Sequence, residues 1–223
     1  ARKLRDEVPG FDQMDEAAQL AFCRRWGIDQ MVECQRNDLL GFNVKFDCWF
    51  REQELHRANA LENIIQVLKE RGYVYEQDGA LWFRSTAFGD DKDRVIVKSD
   101  GNYTYVTADI AYHYNKLQRG FTKLIDILGP DHHGYIGRMK AAVQALGYPE
   151  DTLEILILQY VALLRDGKPV KMSKRAGEFV TLEDLVSEVG RDAARYFFVM
   201  RSLDSHLDFD LTLAAQQSSE NPV

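Results

Sequence analysis

A chain of 223 residues with 45% hydrophobic and 28% charged content can bury a sizeable core in one domain or two, and this composition excludes a disordered chain. A formal net charge of -7 and a pI near 5.3 exclude a broadly basic nucleic-acid surface, though not a local one. Cys23, Cys34 and Cys48 are odd in number and lack CxxC spacing, so free cytosolic thiols are expected rather than disulfides or zinc. No apolar run approaches the roughly 20 residues of a membrane span.

The opening "ARKLRDEVPG" is charged, unlike a signal peptide, and has no initiator Met. The chain ends abruptly at "SSENPV", and the expectation is a piece of a longer protein. From Asp12 to about Leu40 the apolar spacing predicts a helix, weakened at Gly27 and closed near Gly41. "VKFDCWF" (44–50) alternates and is rich in aromatics, which predicts a short strand. Ala58 to Arg71 reads as an amphipathic helix with Leu61, Ile64, Ile65 and Leu68 on one face and Gly72 as its stop. Two alternating runs around Asp78-Gly79 predict a hairpin, and "DRVIVKSDGNYTYVT" (93–107) repeats the pattern around Asp100-Gly101.

Beyond that point the style changes. Helices are predicted over 107–117 and 133–146, a buried strand over 123–129, and one or two strands over 153–164. Thr181, three residues before Asp184, forms a capping-box pattern, and an apolar helix over 192–200 follows Gly190. Strands alternating with helices at this length imply a parallel α/β layer preceded by an α+β region. No repeat or low-complexity segment stands out.

Three stretches carry chemistry. From Arg165 to Glu178 five positive charges face two negative ones on an otherwise acidic chain. Lysines on long stems suit a polyphosphate whose charge moves during reaction, and Gly167 and Gly177 would let such a loop close and reopen. On charge alone, a solvated surface turn is the competing reading. Neither GxxxxGK[ST] nor GxGxxG occurs.

"LGPDHHGYIGRMKAA" (128–142) follows a predicted parallel strand, where open α/β sheets bind ligands. Gly129 would allow close backbone approach, and Asp131 could accept from ribose hydroxyls or simply cap a helix. His132 and His133 add donors near a helix start. Their side chains diverge, and no HExxH or cysteine pair accompanies them, which argues against a metal site. In "YTYVTADIAYHY" (103–114), Tyr105 ends a predicted strand and Asp109 falls in the first turn of the next helix. A carboxylate and a phenol there suit a guanidinium, while favouring the helix dipole is an equal alternative for Asp109. Tyr112, His113 and Tyr114 read as packing and rim residues.

"VKMSKRAGEFVTLEDL" resembles the KMSKS-type signature of class I aminoacyl-tRNA synthetases. Together with "DGALWFRSTAFGDDKDRVIVKSDGNYTYVTADIAYH", "LGPDHHGYIGRMKAA" and "MRSLDSHLDFDL", in that order, it resembles the bacterial arginyl-tRNA synthetase family from about residue 44 to the end. That resemblance implies a fold of α/β class: the second half of a Rossmann-type parallel sheet, preceded by an α+β insertion region. It implies an insertion (connective) region over 1–99, the second catalytic half with the KMSK loop over 100–200, and over 201–223 the start of the connection to an anticodon-binding domain.

The activity implied is arginine–tRNA ligation, with ATP and its Mg2+ as a substrate complex, L-arginine and tRNA(Arg) as partners, and neither zinc nor an organic cofactor. Tyr105 and Asp109 match the element that recognises arginine. Gly129 and Asp131, with His132 and His133 beside them, match the ATP-ribose element. Lys171 and Lys174 match the lysines that stabilise departing pyrophosphate, with Ser173 between them, and the backbone around Val170 and Met172 approaches adenine. The family further implies a cytoplasmic protein, a monomer at full length, with no membrane partner.

There are departures. Nothing matches the HIGH signature, since "HHGYIGR" follows the ribose-contacting strand, and Ala108 stands where many relatives carry a basic or other residue. The chain alone is therefore expected not to make arginyl-adenylate. A non-catalytic fragment or paralogue that binds nucleotide, arginine or a protein is the alternative. A cysteine or glutamate ligase is disfavoured by Tyr105, Asp109 and the lack of zinc ligands.

Overall fold

The structure, a computed structural model, describes residues 8–170 and 180–216. The chain splits into two compact units: Ala1–Asp47, Leu163–Met200 and Phe209–Val223 form one, Cys48–Ala162 and Arg201–Asp208 the other. No helix among the described residues is long and apolar enough to cross a membrane.

In the first unit, Asp15 accepts from the Ala18 N–H at 2.8 Å and starts α1 (Glu16–Gly41). Gly27 does not interrupt it, because one glycine costs only about 1 kcal/mol relative to Ala and the helix runs for 26 residues. Where 44–50 was expected to form a strand, the backbone is irregular. Its aromatic content serves packing instead: from Cys48 on the chain belongs to the second unit, and there Phe50 stacks on Tyr112, centroids 4.4 Å apart. Cys23, Cys34 and Cys48 are free and exposed.

The second unit begins with α2 (Glu52–Arg57) and α3 (Ala60–Glu70). The helix expected from Ala58 starts instead after Asn59, whose φ of 50° separates the two. α3 buries Leu61, Ile64, Ile65 and Leu68, the face its spacing implies. β1 (Val74–Gln77) and β2 (Ala80–Phe83) pair antiparallel from Val74–Phe83 to Gln77–Ala80. Asp78 and Gly79 between them take φ of 52° and 72°, as a two-residue hairpin turn requires.

β3 (Arg94–Val97) joins β2 antiparallel, but the second expected hairpin shrinks to one bridge, Val97 to Tyr103. The chain instead enters α4 (Tyr105–Gln118). β4 (Leu124–Leu128), α5 (Tyr135–Ala145) and β5 (Leu153–Ile157) form a crossover unit, with β4 and β5 parallel from Leu124–Leu153 to Leu128–Ile157.

The core of this unit joins Leu68, Phe83, Ile96, Ile110 and Val143, all fully buried. Each such side chain contributes about 1.5–3 kcal/mol. A buried ion pair lies beside it. Arg94 donates from Nε and Nη2 to the Asp90 carboxylate, both at 2.7 Å, and also bonds Asp91. A side chain at Gly137 of α5 would place its Cβ 3.2 Å from Asp90 Oδ1, so glycine lets that helix approach the carboxylate closely.

The apolar run at 153–164 resolves into β5 and a separate β6 (Val161–Arg165). In the first unit, β6 pairs with β7 (Lys168–Pro169), Leu164 against Pro169 and Arg165 against Lys168. Asp166 and Gly167 make the turn, and the Gly167 N–H donates to Asp210 at 2.7 Å. Thr181 and Asp184 cap α6 (Leu182–Val189) reciprocally, as expected, and α7 (Arg191–Val199) follows Gly190. After β8 (Leu207–Asp210) and α8 (Leu211–Ala215), Phe209 lies between Phe197 and Phe198, centroids 5.0 and 5.7 Å away.

Candidate active site

The candidate residues outside the basic loop all lie in the second unit, and β3 sets their level. The Thr104 N–H donates to the Ile96 carbonyl at 3.1 Å, and the Thr104 and Thr107 hydroxyls donate to Val95 and Ile96 carbonyls at 2.8 and 2.5 Å. These bonds fasten the start of α4 to the end of a strand. Tyr105 is then the first residue of α4, 84% exposed, rather than the last of a strand. Asp109 falls in its second turn, half-buried, and is not a capping residue.

Asp109 and Tyr112 line a cavity of about 210 Å³ with Phe50 and Glu52. Tyr105 lines another of about 330 Å³ with Glu52, His56 and Lys98. Carboxylates beside stacked aromatic rings can hold a planar cation, by charge, hydrogen bonding and ring contact together.

Asp109 is held from two directions. The Tyr135 hydroxyl donates to its carboxylate, and His113 Nδ1 lies 2.7 Å from its main-chain carbonyl. Burial, and then the bond to Asp109, push Tyr135 up to about 12, so it remains a protonated donor at neutral pH. His113 is buried, and its Nε2 meets Asp126 on β4 at 2.6 Å, while Lys116 Nζ reaches the same carboxylate at 3.0 Å. Burial raises the Asp126 pKa, but the bonds and charges of His113 and Lys116 outweigh it and hold Asp126 at about 2.

Gly129 to His133 occupy the carboxyl end of β4. Gly129 is extended, and a Cβ there would meet nothing within 4 Å, so its backbone faces open space. Asp131 lies in a 3-10 turn, Pro130–His132, and is exposed. It accepts a hydrogen bond from Tyr160, beyond the end of β5, at 2.7 Å. His132 and His133 are exposed just before α5, and the His132 ring meets Tyr135 edge-on at 5.9 Å. Among the described residues, no group of three or more His, Cys, Asp and Glu is placed to hold a metal ion.

The Val170 N–H donates to the Leu163 carbonyl at 2.9 Å, so the chain is still paired to β6 where the basic loop begins. Lys171, Met172, Ser173, Lys174 and Gly177 lie outside the described residues.

Sequence reasoning missed Tyr135, Tyr160 and the polar role of His113. Tyr135 contacts Asp109 from 26 positions away and Tyr160 contacts Asp131 from 29, separations no local pattern reveals. His113, read as packing, does pack, but the proximity of Asp126 was invisible before the strand and helix were docked.

A parallel strand pair runs into a Gly-Pro-Asp-His-His turn beside a helix that carries Tyr105 in its first turn and Asp109 in its second, within the fold of a class I aminoacyl-tRNA synthetase catalytic domain. The chain belongs to the family described as tRNA synthetases class I (R), catalytic domain, which it matches over residues 5–204. It is 56% identical over its whole length to an arginine–tRNA ligase of Geobacillus thermodenitrificans, covering 40% of that protein. Over 213 residues, 96% of this chain and 38% of the relative, it is 55% identical to the Bacillus subtilis ligase.

Among solved structures, a Campylobacter jejuni protein assigned as an arginyl-tRNA synthetase matches with TM-score 0.88 and 40% identity, over 99% of this chain and 47% of that one. The Thermus thermophilus arginyl-tRNA synthetase, 16% identical with TM-score 0.70, covers 97% of this chain and 48% of that chain and shows likeness of fold alone. The chain thus spans about 40% of the length of the curated relatives it matches.

Proposed function

We propose that this chain is part of the catalytic domain of an arginine–tRNA ligase, which activates L-arginine with ATP and transfers it to tRNA(Arg). The observation that carries the reading is Tyr135. Its hydroxyl bonds Asp109 and its ring meets His132, which brings the arginine element and the nucleotide element together. In this reading Tyr105 and Asp109 receive the guanidinium, and Gly129, Asp131, His132 and His133 receive the ATP ribose and its surroundings. The backbone around Val170 and Met172 would approach adenine and Ser173 would join the ATP contacts, roles that rest on the resemblance of the KMSK stretch.

The arginine carboxylate oxygen attacks the α-phosphorus of ATP, and the bond to the bridging oxygen breaks as pyrophosphate leaves. A hydroxyl of the terminal tRNA ribose then attacks the activated carbonyl and AMP departs. No covalent enzyme intermediate is required, so positioning and charge carry the rate. Lys171 and Lys174 neutralise the departing pyrophosphate, a role resting on the resemblance of the KMSK stretch. Mg2+ travels with the nucleotide, and neither zinc nor an organic cofactor is part of the proposal.

The same reading makes 1–99 an insertion region, 100–200 the second catalytic half and 201–223 the lead into an anticodon-binding domain, in a cytoplasmic, monomeric full-length enzyme without a membrane partner. The domain bounds, location and monomeric state rest on the resemblance to the family; the coverage of about 40% bears only on the chain being part of a longer enzyme. The test is arginine-dependent ATP–pyrophosphate exchange, measured on the 223-residue chain and on the full-length protein, with and without tRNA(Arg). Exchange is expected at full length only. Exchange by the chain alone would contradict the need for a further catalytic half, and silence in both would overturn the ligase reading.

A further inference from the structure

We infer that Tyr135 is a positioning residue that fixes the Asp109 carboxylate for the guanidinium of arginine and ties that site to the nucleotide turn. The inference rests on the arginine reading of Asp109 proposed above. A guanidinium binds a carboxylate best in one plane, through two parallel hydrogen bonds, so recognition needs an aspartate that does not rotate. Asp109 sits in the second turn of α4, and its side chain lines a cavity.

The Tyr135 hydroxyl takes one acceptor site of the carboxylate and so favours one orientation of it. An ionised carboxylate has about four such sites, so both oxygens can still receive a guanidinium. The Asp109 main chain is held separately, through its carbonyl, by His113.

Tyr135 is itself fixed. It is the first residue of α5, its ring meets His132 at 5.9 Å, and the Arg138 guanidinium lies over its face at 4.8 Å. Arg138 in turn donates to the Gly134 carbonyl at 3.1 Å. The hydroxyl stays a donor across neutral pH, since burial and Asp109 push it up to about 12. A shift of the Gly129–His133 turn around bound ATP would therefore be felt at Asp109 through one ring. A purely structural tyrosine would need neither the carboxylate of a ligand site nor contact with the nucleotide turn.

The experiment compares Tyr135→Phe, Asp109→Ala and the double variant by ATP–pyrophosphate exchange in the full-length enzyme. Phe keeps the ring contacts and removes only the hydroxyl. Tyr135→Phe is expected to raise the arginine KM about tenfold with kcat within about twofold, and the double variant to be no worse than Asp109→Ala alone. Unchanged arginine KM in Tyr135→Phe while Asp109→Ala raises it would overturn the inference. So would an effect of the phenylalanine that persists undiminished without Asp109. If Asp109→Ala also leaves arginine kinetics untouched, the arginine reading of the site falls first and this inference with it. Thermal melts establish folding at the assay temperature, and calorimetric titration with arginine at low temperature gives the same comparison for a destabilised variant.

Discussion

His113 Nε2 stands 2.6 Å from Asp126 Oδ2 and joins α4 to the parallel strand β4 inside the second unit. Asp126 is held at about 2, because His113 and Lys116 outweigh the effect of burial. Its folded value lies below the roughly 3.9 of an unfolded aspartate, so its contribution is present above about pH 4 and is lost as pH falls to about 2. Discounted for the screening of a group still partly open to solvent, that contribution is on the order of 1–2 kcal/mol. Asp126→Asn should lower stability at pH 7 by on the order of 1–2 kcal/mol and flatten the acid limb of a urea-midpoint profile. Identical slopes for both proteins between about pH 4 and pH 2 would contradict the assignment.

Asp109→Ala in the full-length enzyme should weaken arginine selection. The carboxylate is half-buried, so the loss lies near the lower end for a charge pair, about 2 kcal/mol or roughly thirtyfold in kcat/KM for arginine. ATP kinetics at saturating arginine should change little. Wild-type arginine kinetics in the variant would remove Asp109 from the arginine site.

Lys174→Ala should act on the chemical step. A lysine that neutralises pyrophosphate as it leaves contributes chiefly in the transition state, so kcat for adenylate formation should fall more than the arginine KM rises. Single-turnover measurement separates the two. A pure KM effect would show that the lysine contributes ordinary ground-state binding.

Thr181→Ala removes the hydroxyl that accepts from the Asp184 N–H at 3.0 Å and donates to its carboxylate at 2.6 Å. The expected cost is about 1 kcal/mol, read as a shift of the urea midpoint without a change in slope. Thr181→Ser should restore most of it, since serine keeps the oxygen. Equal losses in both variants would assign the effect to the threonine methyl instead.

Much of the fold was legible because its signals are local. Asp78-Gly79 reads as a hairpin since both residues accept positive φ, and Thr181 with Asp184 reads as a helix start since four consecutive residues complete the motif. The failures share a cause. The aromatics at 44–50 carry strand propensity, but Phe50 serves stacking on Tyr112. Asp100-Gly101 turns the chain, but Thr104 and Thr107 bind β3 with their hydroxyls and start α4 before a second strand can extend. In both places a tertiary contact overrode a propensity worth at most about 1 kcal/mol across its whole scale.

The sequence by itself determined the family, the order of strands and helices, and which short stretches carry polar chemistry, because motif spacing and hydrophobic period are properties of neighbouring residues. Only the tertiary structure decided that Tyr135 serves Asp109, that Tyr160 serves Asp131, and that His113 finds Asp126. Those bonds join positions 13 to 29 residues apart. Their geometry follows from docking α4 and α5 against β4 and β5, a step set by burial of side chains such as Ile110, Val143 and Leu153, which carry no polar chemistry themselves.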